Sequence, residues 1–366
     1  MNGVSKPESE KMTFKLIVLF QLLLLDAFPQ NRITDSIPNR IDEERFIKIN
    51  GLEQWVTIKG DSTKPVILFI HGGPGNPISP FADAIYGKWE RDFILVQWDQ
   101  RGAGRTYGRN APEELTPEYL KSNPLTIDQM TTDGIELAQY LIRHLGKQKI
   151  TLFGTSWGSV LGVKMALKKP ELFYAYVGHS QIVNPSATDL TAYQKVYKMA
   201  QNANDQQSLD ILDSIGKPPY ETAKNTGALI RIVKKYQQKN SIPAPPSWFE
   251  LPPAYDNEKD NQHRRDGDDY SFVNYAGDKG LGLASLSSTI NFSKDGLAFK
   301  IPVYFIQGED DIKTPGVITK EYYNNITAPG KKFIVVPGAD HGFNQPVIDA
   351  QYRIMTQFII PLVNRD

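Results

Sequence analysis

Short runs rich in β-branched and aromatic residues, separated by stretches of helical periodicity, constrain this chain more than any other feature. Eight such runs stand out: Phe46–Asn50, Gln54–Lys59, Pro65–Ile70, Phe93–Trp98, Lys149–Phe153, Tyr174–Gly178, Pro302–Gln307 and Lys332–Val336. The third to the eighth are nearly continuous apolar segments, the pattern of strands covered on both faces. Between the fourth and fifth, Met130, Ile135, Leu137, Leu141, Ile142 and Leu145 fall mostly on one helical stripe. Thr126 with Gln129 caps that helix and Gly146 stops it. The alternation predicts an α/β fold, a mostly parallel eight-stranded sheet with helices on both faces.

A chain of 366 residues is longer than one small core needs. Over residues 184–297 the alternation breaks. This stretch is rich in Gln, Asn, Asp, Lys and Tyr, with helical segments at Ala187–Ala203 and Thr222–Lys239, a Pro-rich joint at 242–247 and a charged run at Asn257–Asp269. Strand signals resume at Pro302, so the stretch reads as a mainly helical lid inserted between two parts of the sheet domain, 29–183 and 298–366.

The first 28 residues read differently. Lys11 and Lys15 precede Leu16–Leu25, an apolar run broken only by Gln21, and Ala27 is a small residue placed for cleavage. The run is roughly half of what crossing the hydrocarbon core requires. A cleaved signal peptide and export, periplasmic or secreted, are expected, with an uncleaved anchor as the alternative; Met12 is a second candidate start.

Composition removes several function classes. Lys plus Arg and Asp plus Glu both number 41, so no excess of basic charge favours nucleic acid or anionic lipid. The absence of cysteine excludes disulfides, thiolate catalysis and Cys-ligated metals. Gly280-Leu-Gly282 lacks the third glycine and the preceding strand of a dinucleotide fingerprint, and neither a P-loop nor an HExxH string occurs. No cofactor and no metal are expected.

The chemistry concentrates in Gly154-Thr-Ser-Trp-Gly158, a G-x-S-x-G string directly after a strand and before a helix. Such a turn is tight enough to demand small residues two before and two after the serine, and it projects the hydroxyl of Ser156 over the sheet edge as a nucleophile. A serine needs an imidazole to take its proton and a carboxylate to orient that imidazole, in the chain order Ser, Asp, His. His341, after the last strand, is the only histidine beyond position 263. Glu309, Asp310 and Asp311 follow the preceding strand. Asp311 is favoured over Asp310, because three residues from Gly308 let the chain turn off the strand before the carboxylate points inward. Asp340 is unfavoured, since adjacent side chains in an extended loop diverge. For the oxyanion, His71-Gly-Gly-Pro-Gly75 after the third strand offers the Gly73 N–H, and the residue after the nucleophile offers the Trp157 N–H. His71 reads as structural, and Asp99–Thr106 as a brace for the loop after the fourth strand.

His71-Gly-Gly-Pro-Gly75, Asp99-Gln-Arg-Gly-Ala-Gly-Arg-Thr106 and Gly154-Thr-Ser-Trp-Gly-Ser159, in this order, resemble the prolyl aminopeptidase (proline iminopeptidase) family of α/β-hydrolases. The resemblance covers about residues 60–180 and 300–345 and no motif of the lid. It implies a cofactor-free serine peptidase that removes an N-terminal residue, often proline, from short peptides, and it supports Ser156, Asp311 and His341. Ala103, Thr106, Thr155 and the Asp340-His341 pair depart from the family's usual residues, which bears on substrate range. An exopeptidase must recognise a free ammonium with a shielded acid. Glu250, among the aromatics of Ser247–Pro253, is the first candidate, and Glu221 the second. A carboxylesterase acting on small esters with the same triad is the alternative, because fold and triad do not choose between amide and ester.

Overall fold

The computed structural model describes residues 37–365; the apolar run and cleavage site expected at the N-terminus lie outside them. All eight expected strands form: β1 (Arg40–Ile49), β2 (Leu52–Asp61), β3 (Val66–Ile70), β4 (Ile94–Trp98), β5 (Ile150–Thr155), β6 (Phe173–His179), β7 (Val303–Gly308) and β8 (Lys331–Val336). They make one sheet in the order β1-β2-β4-β3-β5-β6-β7-β8, antiparallel for β1–β2 and β2–β4 and parallel from there on. The first two strands are longer than the apolar runs that announced them. The outer end of β1 carries Arg40, Asp42, Glu43 and Glu44, since β1 is an edge strand with one solvated face and alternating burial. Asn50 and Gly51, at φ of 44° and 82°, turn this hairpin, the conformation that Asn-Gly pairs favour.

Side chains of the central strands alternate between two apolar layers. Leu68, Val96 and Leu152 pack on one face against α2 (Ile127–His144) and α3 (Trp157–Lys168). Ile67, Leu95, Phe153 and Ile306 pack on the other against Trp89, Val347 and Ile354. The Thr126 hydroxyl accepts the Gln129 N–H at 3.1 Å, so α2 starts where the capping box predicted, and Gly146 follows its end at φ 62°. The short α1 (Gly104–Asn110) leads out of the loop after β4.

Between β6 and β7 the chain forms α4 (Pro185–Asn202), α5 (Gln206–Ile215), α6 (Ala223–Gln237) and α7 (Glu258–Ala276). The charged run 257–269 is thus the first part of a 19-residue helix. Its signal is weak because only Gly267, Tyr270, Ser271, Asn274 and Ala276 are buried, a narrow stripe on an otherwise polar cylinder. Asn257 caps α7 by accepting the Asp260 N–H at 2.9 Å. Helices α4, α5 and α6 share a third apolar cluster, which includes Val196, Leu212, Leu229, Val233 and, from the loop after β7, Ile312. After β7 and β8 come α8 (Gly316–Asn325) and α9 (Gln345–Ile354).

Candidate active site

Parallel strands release their C-terminal loops at one sheet edge, and the strand order reverses between β3 and β5, where such sheets build sites. Register does the rest. Ile70 pairs with Gly154, Thr155 with His179 and Gly308 with Val336, so the loops carrying Gly72, Ser156, Asp311 and His341 leave at one level.

Ser156 sits between β5 and α3 with φ 52° and ψ −118°, a backbone that side chains rarely adopt. The flanking glycines have the predicted steric cause. A Cβ on Gly158 would fall inside the Ile70 carbonyl, and one on Gly154 would come within 2.6 Å of the Gly158 oxygen. The Ser156 N–H is tied to the His179 carbonyl at 2.9 Å, and the hydroxyl lies 2.9 Å from His341 Nε2. On the far side of the ring, Nδ1 lies 3.0 and 3.2 Å from the two oxygens of Asp311. Each link is within hydrogen-bond reach of the next.

Asp311 is fully buried and accepts the Thr314 N–H at 2.7 Å and the Thr314 hydroxyl at 2.6 Å. Burial alone would raise its pKa. The facing His341 imidazole and the two Thr314 donors outweigh that and hold the carboxyl at about 2, ionised at any working pH. Asp310 turns outward, partly exposed, while its N–H bonds the Ala339 carbonyl at 2.9 Å. Asp340 accepts from the Gly342 N–H at 2.8 Å and the Ser241 hydroxyl at 3.0 Å, which fixes the loop of His341 without entering the relay. The acid ranking made from spacing therefore agrees with the geometry.

Neither the Gly73 nor the Trp157 backbone N–H donates to an acceptor among the described residues. The adjoining Gly72 is so close that a Cβ there would stand 3.3 Å from Ser156 Cβ. A buried chain of bonds props this loop: His71 Nδ1–H donates to the Gly72 carbonyl at 2.7 Å, its Nε2 accepts the Gln100 N–H at 3.1 Å, and Gln100 Oε1 accepts the Trp157 indole N–H at 3.1 Å. Burial lowers the pKa of His71 to about 4, consistent with a structural, neutral ring. Gln100 stood in the sequence only as a member of the Asp99–Thr106 motif, with no role of its own.

Asp99–Thr106 is a brace, as expected. Asp99 accepts from the Ser79 hydroxyl at 2.5 Å and the Arg105 N–H at 2.9 Å. Arg101 pairs with buried Asp133 at 2.8 Å, and Arg105 pairs with Asp260 of α7 at 2.9 Å while stacking on Tyr255.

The two lid glutamates need correction. Glu250 and Glu221 are both exposed, and Glu221 is held by Lys279 at 2.9 Å on the surface, so neither has the shielding that ammonium recognition requires. Two further acids, Asp268 and Asp189, lie in the insertion. Gly75 packs so tightly on α7 that a Cβ would come within 2.5 Å of the Asp268 Cα, which stations Asp268 beside the loop that adjoins Ser156. Its tip reaches solvent, yet burial by the surrounding walls, with Asp269 alongside, raises its pKa. Asp189 of α4 lines a cavity with Lys313 and Thr314, and burial pushes its pKa up to about 6. A helical wheel of 258–276 contained the signal for Asp268, since it shares a face with Ser271 and Tyr275, and Tyr275 packs edge-on against Trp157 at 5.8 Å.

Among known proteins, a probable aminopeptidase of Bacillus subtilis is 28% identical over 302 residues, which is 81% of this chain and 89% of that protein. A proline iminopeptidase of Clostridioides difficile is 25% identical over 197 residues, 53% of this chain and 60% of its own length. The solved proline iminopeptidase of Mycobacterium smegmatis shares the fold, with a TM-score of 0.61 at 15% identity over 88% of this chain and 99% of that one. An epoxide hydrolase from hot-environment metagenomes shares it too, with a TM-score of 0.51 at 20% identity over 87% of this chain and 99% of that one. Residues 65–344 match the family described as alpha/beta hydrolase fold, and a match of that extent, with the elbow and its partner loops inside it, makes this chain a member of that family.

Proposed function

We propose that this chain is an exported serine aminopeptidase that releases proline or another small N-terminal residue from short peptides, with the helical insertion 184–297 acting as the lid of its site. The observation that carries the reading is the packing of α7 on the loop beside Ser156, where Gly75 meets the backbone of Asp268 and leaves this exposed acid at the rim of the site. A free ammonium loses hydration on entering such a site, and only a nearby carboxylate offsets that cost. Aminopeptidase-named relatives point the same way.

In this mechanism the Ser156 hydroxyl attacks the scissile carbonyl while His341 Nε2 takes its proton, across the 2.9 Å contact. Asp311 keeps the other ring proton on Nδ1 and stabilises the imidazolium. The N–H groups of Gly73 and Trp157 receive the oxyanion. His341 then protonates the departing amine, and water, activated by the same ring, frees the acyl group from Ser156. An epoxide hydrolase of this fold would need a carboxylate at position 156, which the serine does not supply.

The test compares free and N-acetylated prolyl and alanyl arylamides with short-chain esters, on the wild type and on Asp268→Asn. The wild type should prefer the free amines strongly. Asp268→Asn should raise KM for them by about tenfold or more, given roughly 1.5–3 kcal/mol for a hydrogen bond to a charged group, and leave ester hydrolysis within about threefold. Equal cleavage of blocked and free substrates overturns the reading and leaves a carboxylesterase.

A further inference from the structure

The loops after β3 and β4 and helix α7 close a ring beside Ser156. The loop after β3, residues 71–80, is gripped at both ends by the loop after β4: the Gln100 side chain donates to the His71 carbonyl at 2.9 Å, and Asp99 accepts the Ser79 hydroxyl at 2.5 Å. Midway, Gly75 lies against the α7 backbone at Gly267 and Asp268. Helix α7 completes the ring on the loop after β4, where its Ser271 hydroxyl donates to the Gly102 carbonyl at 2.7 Å and its Asp260 receives Arg105.

Arg105 is the pin of this ring. Its Nε and Nη2 donate to the two oxygens of Asp260 at 3.3 and 2.9 Å, and Nη2 also donates to the Ala254 carbonyl at 2.6 Å. The guanidinium lies 4.7 Å from the Trp55 ring centre and 3.9 Å from that of Tyr255, and the Trp55 indole N–H donates to the Tyr255 hydroxyl at 3.2 Å. A two-pronged ion pair between aromatic faces holds one geometry, and it is specific to arginine. Trp55 belongs to β2, so the pin is rooted in the sheet while its head is in the insertion. The Arg105 backbone N–H donates to Asp99 at 2.9 Å, so one residue connects the carboxylate that holds Ser79 to the carboxylate that holds α7.

We propose that Arg105 is a positioning residue for acyl transfer: by pinning α7 to the loop after β4 it fixes α7 against the turn at 72–75, and with it the direction of the Gly73 N–H that receives the oxyanion. The inference rests on the serine-hydrolase part of the mechanism above and not on its peptide substrate, since an amide and an ester develop the same oxyanion. Gly73, at φ 111°, sits in a turn so tight that a Cβ would come within 2.5 Å of the Gly75 and Asn76 nitrogens, so a shift of Gly75 is passed on to Gly73. A misplacement of about 1 Å at such a site costs up to about 10²-fold in rate. Loss of the pin therefore acts on the transition state and leaves ground-state binding of a small substrate alone.

The test uses p-nitrophenyl acetate and butylboronic acid, which adds to the Ser156 hydroxyl oxygen as a tetrahedral anion with a boron-bound oxygen in the oxyanion's place. The ester kcat and KM and the calorimetric Kd of the boronic acid are measured for the wild type, Arg105→Met, Asp260→Asn, their double variant and Arg109→Met, each well below its Tm. Arg105→Met and Asp260→Asn should each lower kcat by about tenfold or more and weaken boronic acid binding by a similar factor, with KM within about threefold of wild type. The double variant should lose no more than about threefold beyond the worse single variant, because both act through one ion pair. Arg109→Met, on the same helix but paired with exposed Glu53, should change none of these quantities. A kcat within about threefold of wild type in either single variant, a loss confined to KM, or losses that multiply in the double variant overturns the proposal. Asp260→Asn decides the matter if Arg105→Met does not fold. Cleavage of the ester but of no amide would sink the aminopeptidase reading and leave Arg105 in place; a wild type that neither cleaves the ester nor binds the boronic acid removes the mechanism and this inference with it.

Discussion

The sheet edge and the helical insertion place charged groups by different physics. At the edge, Ser156, Asp311 and His341 leave register-locked parallel strands through short loops, so a few residues of sequence fix where each side chain points. In the insertion, an acid reaches the site only if a whole helix docks correctly: Asp268 depends on α7 meeting Gly75, and Ser271 meeting the Gly102 carbonyl at 2.7 Å, across more than 160 residues of sequence. Motifs therefore identify chemistry at the edge and say little about specificity in the insertion. The two meet at Ile312, which is anchored in the insertion's core and flanked by Asp311 and Lys313.

The largest effect expected is at the edge. Ser156→Ala should reduce turnover by several orders of magnitude, up to about 10⁶-fold as in other serine hydrolases, with an unchanged circular dichroism spectrum. Activity within tenfold of wild type would dissolve the comparison, since no other hydroxyl is bonded to His341 Nε2 among the described residues. Next, Asp311→Asn should cost about 10⁴-fold in kcat through the wrong imidazole tautomer, while the outward-facing Asp310→Asn stays within about threefold.

Ile312→Ala probes the junction itself. Removing this buried side chain should destabilise by roughly 2–4 kcal/mol in denaturant titration and lower kcat about tenfold, because Asp311 loses the anchor beside it. Leu212→Ala, in the same apolar cluster but remote in sequence from the relay, should cost similar stability and leave kcat intact at temperatures well below Tm. Equal losses of kcat would mean that the insertion and the edge act as one unit.

The smallest effect concerns His179, buried at the end of β6 with both ring nitrogens unpartnered among the described residues. Burial, with the neighbouring His341 charge, lowers its pKa to about 3, whereas the unfolded chain protonates near 6.5. The unfolded state thus binds the extra proton between those values, and acidification favours unfolding. The stability of the wild type relative to His179→Phe should be constant above about pH 7 and fall progressively from there to pH 4, as read from Tm differences at matched pH. A difference independent of pH would show that the ring is hydrated or paired.

Much of this was legible in the amino-acid order. Apolar runs flanked by turn residues place every strand to within a few residues for the buried strands, because a strand covered on both faces cannot hide polar groups. β1 outran its signal furthest, through the charged residues of its solvated end. The elbow was legible for a steric reason that acts over five residues, and the Ser, Asp, His order followed from the fold the strands imply. The expected shielded acid was not legible. Glu250 and Glu221 looked suitable beside aromatics and in a polar stretch, yet exposure is a property of docked helices and not of neighbours in sequence.

What the sequence by itself determined is the local set: alternating strand and helix, the caps, the glycines that permit the turn at Ser156, and the residue types able to do acyl transfer. Only the tertiary structure decided that α7 packs on Gly75 through the backbone of Asp268, that Gln100 props the loop of Gly72 through His71 and Trp157, and that Lys313 faces a cavity shared with Asp189. The physical reason is range. Sterics and hydrogen-bond closure act within a few residues and leave a trace in the sequence, whereas desolvation and charge depend on every element packed around a group, and those elements come from residues far apart along the chain.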